Sequence, residues 1–297
     1  MSASRLKDAI ASASSTVSSL NGLSEHPCQN PYTTVEWPEK VDPEREWFSS
    51  PELLSLYRTP VWGRLDETTR SRLAFHEAAN FCSLNVHGDK SMVQQLAVRL
   101  YRRDLTAVTD HLHSVLDEKD RDRAFFAGFC KRYARIYPSR QVSFEQSRPR
   151  DVEDFLFFAK AMIFEEIVDR YNWSQGRDAR LHPVARFINN NHHFEQSRWL
   201  VFGRRIVQEL WESCAPDWDR ELIDDVRQCL AASIVAIWRE YYNPDVYADT
   251  GLDRPWEIAE EAWSASAQRE HRRRMSAKCV RHLLSTGILS EEPDDAF

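Results

Sequence analysis

Apolar residues recur along this chain with a period near that of an α-helix, and one stretch shows both the rule and its exception. On a helix through NNNHHFEQSRWLVFGRR (residues 189–205), Val184, Ile188, His192, Gln196 and Trp199 fall on one stripe. A stripe that begins apolar thus continues with an imidazole and an amide that face a core. The same periodicity predicts helical segments at roughly 66–86, 89–103, 105–135, 149–172, 181–213, 219–241 and 254–286. An earlier helical start is expected at SSPELL, where Pro51 suits a first turn. The breaks RIYPSRQ, NWSQGRDARLHP, CAPDWD and YNPDVYADTGLDRP carry Pro, Gly or Asp at turn positions. There is no repeat and no alternating strand pattern, so a bundle of long helices is the expected architecture.

Residues 1–45, Ser-rich and then punctuated by Pro, read as an N-terminal arm laid over a single helical domain at 46–290, with an acidic tail at 291–297. The chain has 297 residues and 42% hydrophobic content, enough for one large core. Only 8 Gly argue against a many-turned sheet protein and against a glycine-rich phosphate cradle. Lys and Arg number 39 against 46 Asp and Glu, a net charge of −7, which makes nucleic acid an unfavourable partner. The six cysteines (Cys28, Cys82, Cys130, Cys214, Cys229, Cys279) include no Cys-x-x-Cys and form no disulfide framework. Neither a signal peptide nor an apolar run long enough to span a membrane is present, so a cytoplasmic protein without a membrane partner is expected.

Charge enters the apolar stripes of three segments. Phe158, Met162 and Glu165 are spaced i, i+4, i+7; Leu112, Leu116, Lys119, Asp122, Phe126 and Phe129 form a second stripe; His192 and Gln196 lie on the third. A lone inward His or Glu is ordinarily a hydrogen-bonded core residue or a snorkelling side chain. Several such groups at mid-helix in one bundle are costly unless they pair with one another or bind a metal. QREHRRRMSAKCVRHLL (268–284) is the one basic concentration, read as a solvated helix face or as a docking surface for an acidic carrier protein.

The stretches RSRLAFHEAANF, DEKDRDRAFFAGFC, IFEEIVDRY and LHPVARFINNNHHFEQSRW resemble, in order and spacing over about residues 46–240, the p-aminobenzoate N-oxygenase family of ferritin-like di-iron oxygenases. The resemblance implies an all-α, ferritin-like bundle of long helices with additional flanking helices. It also implies a pair of irons held on four helices by a Glu, a Glu-x-x-His, a Glu and a His-x-x-x-Glu-x-x-His. FHEAANF (His76, Glu77) matches as packing at a helix crossing, not as catalytic machinery.

Carried over position by position, the first carboxylate falls on Asp89, the third helix on Glu165, and the fourth helix's first imidazole on His192. The second helix reads Lys119 and Asp122 where Glu and His are implied; a register shifted by one reads Glu118 and Arg121. His111, Glu118 and Asp122 also share a stripe, which leaves a rearranged site open. On the fourth helix Glu195-Gln196-Ser197-Arg198-Trp199 puts an amide where the bridging carboxylate is implied and an indole where the last imidazole is implied. Trp cannot bind iron, Gln is a weak neutral ligand, and the Lys119 ammonium is expected to pair with Asp89, Asp122 or Glu165 in place of a metal.

The residual metal candidates are Asp89, Glu118, Asp122, Glu165, His192 and Glu195, and the substituted positions are Lys119, Gln196 and Trp199. The first expectation is a family member with a degenerate site, non-catalytic or altered, that works with no metal as the homo- or heterodimeric partner of an active N-oxygenase in a natural-product pathway. The alternative is an active oxygenase with an atypical mono- or di-nuclear iron site that N-oxidises a small amine or a carrier-bound amino acid, with Phe126 and Phe158 walling the pocket. A binding protein that retains an amine pocket is a third reading.

Overall fold

The periodic stripes become helices, and a computed structural model of the chain describes residues 2–21, 30, 33–140 and 148–294, without the side chains of 2–4, 17–21 and 111. Ten α-helices form among the described residues: α1 (Ser2–Asn21), α2 (Pro60–Arg64), α3 (Glu67–Leu100), α4 (Thr109–Tyr133), α5 (Arg150–Arg177), α6 (Pro183–Cys214), α7 (Arg220–Tyr241), α8 (Pro244–Thr250), α9 (Pro255–Ser264) and α10 (Ser266–Ser285). The described residues contain no strand, only an isolated bridge between Trp47 and Leu181. The fold is an all-α bundle.

Helix starts follow local chemistry. Asp66 accepts from the Thr69 amide at 2.7 Å and opens α3, and Asp219 accepts from Leu222 at 2.8 Å and opens α7. Pro occupies the first turn of α2, α6, α8 and α9, where its missing N–H costs nothing. Gly251, at φ 89°, takes the left-handed turn that ends α8.

Helices α3, α4, α5 and α6 make the central bundle, with α5 packed along α6 and α3 along α4. The α5–α6 contact is so close that a Cβ on Gly176 would lie 2.4 Å from Asn190 Oδ1 and 3.0 Å from the Asn190 backbone nitrogen. Helix α1, for which the sequence reading gave only an arm laid over the domain, lies along α6 and buries Leu6, Ala9, Ile10 and Ala13. Helices α7 and α10 flank α5, and α8 covers α3.

Four features differ from the sequence expectation. No break occurs near His87: α3 runs straight through Gly88, whose missing side chain admits the Phe164 ring of α5 (a Cβ would be 2.5 Å from Cε1). Helix α5 continues through NWSQG to Arg177, and the expected break at 242–255 contains α8. The segment 254–286 is two helices, parted at Ala265 by an extended residue (ψ 133°). Among the described residues no helix is long and apolar enough to cross a membrane.

Candidate functional site

The four central helices bring one polar cluster together in an otherwise apolar core. Helix α3 contributes Asp89; α4, Lys119 and Asp122; α5, Glu165 and Asn172; α6, His192, Glu195, Gln196 and Trp199. The i, i+3 and i, i+4 spacings place each set on one inward face. Lys119, Glu165, Gln196 and Asn172 are 0% exposed, and Asp89, Asp122 and His192 no more than 2%, so bulk water screens none of their charges. Of the two registers for α4, it is Lys119 and Asp122 that face the centre. Arg121 turns out to pair with Asp117, and Glu118 lies half-buried at the edge.

The Lys119 ammonium is the hub. Its Nζ donates to Glu165 Oε1 at 2.7 Å and stands 4.0 Å from both Asp89 Oδ1 and Asp122 Oδ2. The Trp199 ring closes another side, its centroid 5.4 Å from Nζ, within reach of a cation–π attraction. Burial opposes the charge on Lys119, but Glu165, Asp89 and Asp122 outweigh it and raise its pKa, so it stays an ammonium.

Both ring nitrogens of His192 are engaged. Nε2 lies 2.9 Å from Gln196 Nε2, and Nδ1 lies 2.6 Å from the Asn172 amide. A neutral imidazole has one donor and one acceptor. Gln196 Nε2 and Asn172 Nδ2 cannot both donate to a neutral ring, so with Gln196 donating to Nε2 the Asn172 amide has to turn over, which brings its otherwise unpartnered Oδ1 to accept from Nδ1–H. Burial first, then Lys119 and His193, drives the His192 pKa well below its ordinary value, and the edge of Phe126 packs at 4.9 Å. Asn172 was not read from the sequence; its spacing of i+7 from Glu165 was the available signal.

One ammonium faces several buried carboxylates, and protons make up part of the difference. Burial, partly opposed by Lys119, pushes Asp89 up to about 8. Asp122 is raised well above the ordinary carboxylate range, by burial first and then by the neighbouring Glu195 carboxyl, against the pull of Lys119. Glu165 is raised by burial against the pull of Lys119. Asp89 Oδ2, Asp122 Oδ1, Glu165 Oε2, Glu195 Oε2 and Glu118 Oε1 have no hydrogen-bond partner among the described residues.

The family model of the p-aminobenzoate N-oxygenase AurF matches residues 11–287. The chain belongs to the AurF p-aminobenzoate N-oxygenase family. No curated protein matches it. AurF-type proteins are di-iron enzymes, so iron is the cofactor that membership implies.

The donor set of this AurF-family chain does not fit a pair of irons. No three His, Cys, Asp or Glu side chains among the described residues are arranged to hold a metal ion. The cluster's histidine spends both nitrogens on amides, the Gln196 amide donates to Asp122 Oδ2 at 3.3 Å, and Trp199 offers only an N–H. An ammonium at the convergence of the carboxylates repels any cation that would share them. Arranged this way, the cluster can hold protons and an internal ion pair.

The remaining candidates lie elsewhere. His111's side chain is outside the described residues. His76 Nδ1 meets the Tyr137 hydroxyl at 3.0 Å, which donates to Asp249 at 2.8 Å; Glu77 accepts from the Ser55 amide and hydroxyl and so ties residues 49–59 to α3. Both act as packing at a crossing. Phe126 and Phe158 are fully buried core residues. On α10 the basic run divides: Arg272, 1% exposed, donates to the Tyr242 hydroxyl and Trp263 carbonyl and stacks 3.9 Å over Trp263, whereas Arg269, Arg273, Arg274, Lys278 and Arg281 face outward. Arg272 therefore cannot belong to a docking surface.

Proposed function

We propose that this chain is an N-oxygenase-family protein that does not run the di-iron reaction, and that it serves as the non-catalytic or altered partner of an active N-oxygenase in natural-product biosynthesis. The observation that carries the proposal is the blocked imidazole: iron requires a free ring lone pair, and here Gln196 Nε2 takes it at 2.9 Å. A protein that keeps the bundle but spends its ligands on internal bonds retains a family shape without its chemistry, and shape is what association with a related chain uses.

The test is elemental analysis of chain expressed with iron and purified without chelator, together with an amine-oxidation assay of the chain alone and co-expressed with an intact family member. Metal-free protein, inactive alone and co-purifying with the intact relative, is the expected result. About two irons per chain with turnover of an amine would refute it.

The second reading, an active oxygenase with an atypical site, is favoured by the unpartnered carboxyl oxygens of Asp89, Asp122, Glu165 and Glu195, which are the oxygen ligands a metal would use. It would take a small amine or a carrier-bound amino acid, with carrier docking at the outward basic face of 268–284. Amine oxidation that His192→Ala abolishes while the fold is retained would favour it over the first.

A further inference from the structure

Resting on the reading that the paired-iron centre is lost, we infer that Lys119 is the chain's own replacement for the metal charge: an internal cation at the point where carboxylates from three helices converge, which makes the metal-free bundle the finished form of this core. Nζ lies within 4.0 Å of Asp89 on α3, Asp122 on α4 and Glu165 on α5, with the 2.7 Å contact to Glu165 as its strongest bond. These are the carboxylates that would hold a metal ion if the site took one. Ammonium and ion exclude each other, because two cations a few ångströms apart in a dry core repel strongly.

The other departures suit an ammonium as plainly as they spoil a metal site. Trp199 turns its ring toward Nζ, and an aromatic face attracts a cation that it cannot ligate. Gln196 donates to Asp122 Oδ2 and gives that carboxyl a neutral donor, while Lys119 acts on it only through its charge at 4.0 Å. Asp89, a methylene shorter than Glu, stops 4.0 Å from Nζ and leaves room for the end of the lysine. Charge, aromatic face, amide donor and shortened carboxylate thus form one mutually consistent set built around a single cation.

The experiment uses the full chain, stripped with EDTA and then offered Mn²⁺, with Tm and retained metal per chain as readouts. The wild type is expected to hold no Mn²⁺ and to show the same Tm with EDTA or Mn²⁺. Lys119→Met keeps the bulk and removes the charge; breaking a buried pair in a chain of this size should lower Tm by about 10 °C. Adding Glu165→Gln to that variant should recover at least half of the loss, because the stranded partner is removed too. Lys119→Ala, which also vacates the volume, should gain Tm with Mn²⁺ and retain about one ion per chain.

A Lys119→Met protein as stable as the wild type, a double variant no better than the single one, or a folded Lys119→Ala that takes up no Mn²⁺ would overturn the inference. If Lys119→Ala does not fold in either condition, the Met and Gln pair still decides. Two metal ions in the wild type would instead sink the proposed function, whereas a metal-free wild type indifferent to Lys119→Met would sink this inference alone.

Discussion

Gln196 Nε2 lies 2.9 Å from His192 Nε2, one turn apart on α6 and both sealed from solvent. The pair is structural: His192 bridges the α5 amide Asn172 to the α6 amide Gln196 and packs against the edge of Phe126. His192→Ala should therefore cost about 2–4 kcal/mol, from two unpaired amides and a cavity. Urea unfolding of the variant checks this. A variant as stable as the wild type would mean that the imidazole is not holding the two helices together.

Arg272 and its neighbours separate the two halves of the basic run. Arg272→Ala removes a guanidinium that is stacked on Trp263 and bonded to Tyr242, and is expected to cost about 3 kcal/mol. Arg269→Ala or Arg281→Ala, on the outward face, should change stability by no more than about 0.5 kcal/mol. Denaturation midpoints of the three variants decide it, and equal losses in all three would contradict the burial of Arg272.

Glu77 supplies a pH signature away from the cluster. Burial, opposed by hydrogen bonds from Ser55, pushes its pKa up to about 8 from 4.5. A carboxyl whose folded pKa is raised contributes stability that is fully present below its unfolded value and is lost as pH climbs through the folded one. Glu77→Gln, which keeps an acceptor oxygen but does not titrate, should gain on the wild type steadily between about pH 4.5 and 8 and no further above that. Tm measured for both proteins across pH 4–9 checks the slope, and parallel curves would show that Glu77 titrates normally.

Order and period along the chain were enough to read the bundle, because α4, α5 and α6 each carry an apolar stripe that a single sequence exposes. The cluster was legible at Lys119, Asp122, Glu165 and His192 for the same reason, since each interrupts such a stripe, whereas Asp89 was read only from the family resemblance. Which α4 register faces inward was not legible, since Lys119 with Asp122 and Glu118 with Arg121 are equally spaced, and only packing against Glu165 separates them. Asn172 went unread because its partner lies on another helix. Helix α1 went unread because its buried face is Leu6, Ala9, Ile10 and Ala13 among serines, too thin a stripe to recognise before α6 is there to receive it. The continuity of α3 through Gly88 depended on the Phe164 ring of α5, which no local pattern contains.

The four positions that the family resemblance marks as substituted can be changed together. Lys119→Glu removes the internal cation and supplies a carboxylate, Asp122→His and Trp199→His supply imidazoles, and Gln196→Glu frees His192 Nε2 from an amide donor and adds a bridging group. Singly, each change leaves the others in place: Lys119→Glu alone packs a further carboxylate among Asp89, Asp122 and Glu165 with nothing to neutralise it, and should destabilise the fold. Combined, the four changes are expected to raise iron from none towards about two per chain, the load of a paired site, and to make Tm depend on iron. Elemental mass spectrometry of the quadruple variant beside the wild type reads this directly. A folded quadruple variant without iron would mean that the helices of this chain do not space the ligands for a metal pair, and that the loss reaches beyond the four side chains into the bundle itself.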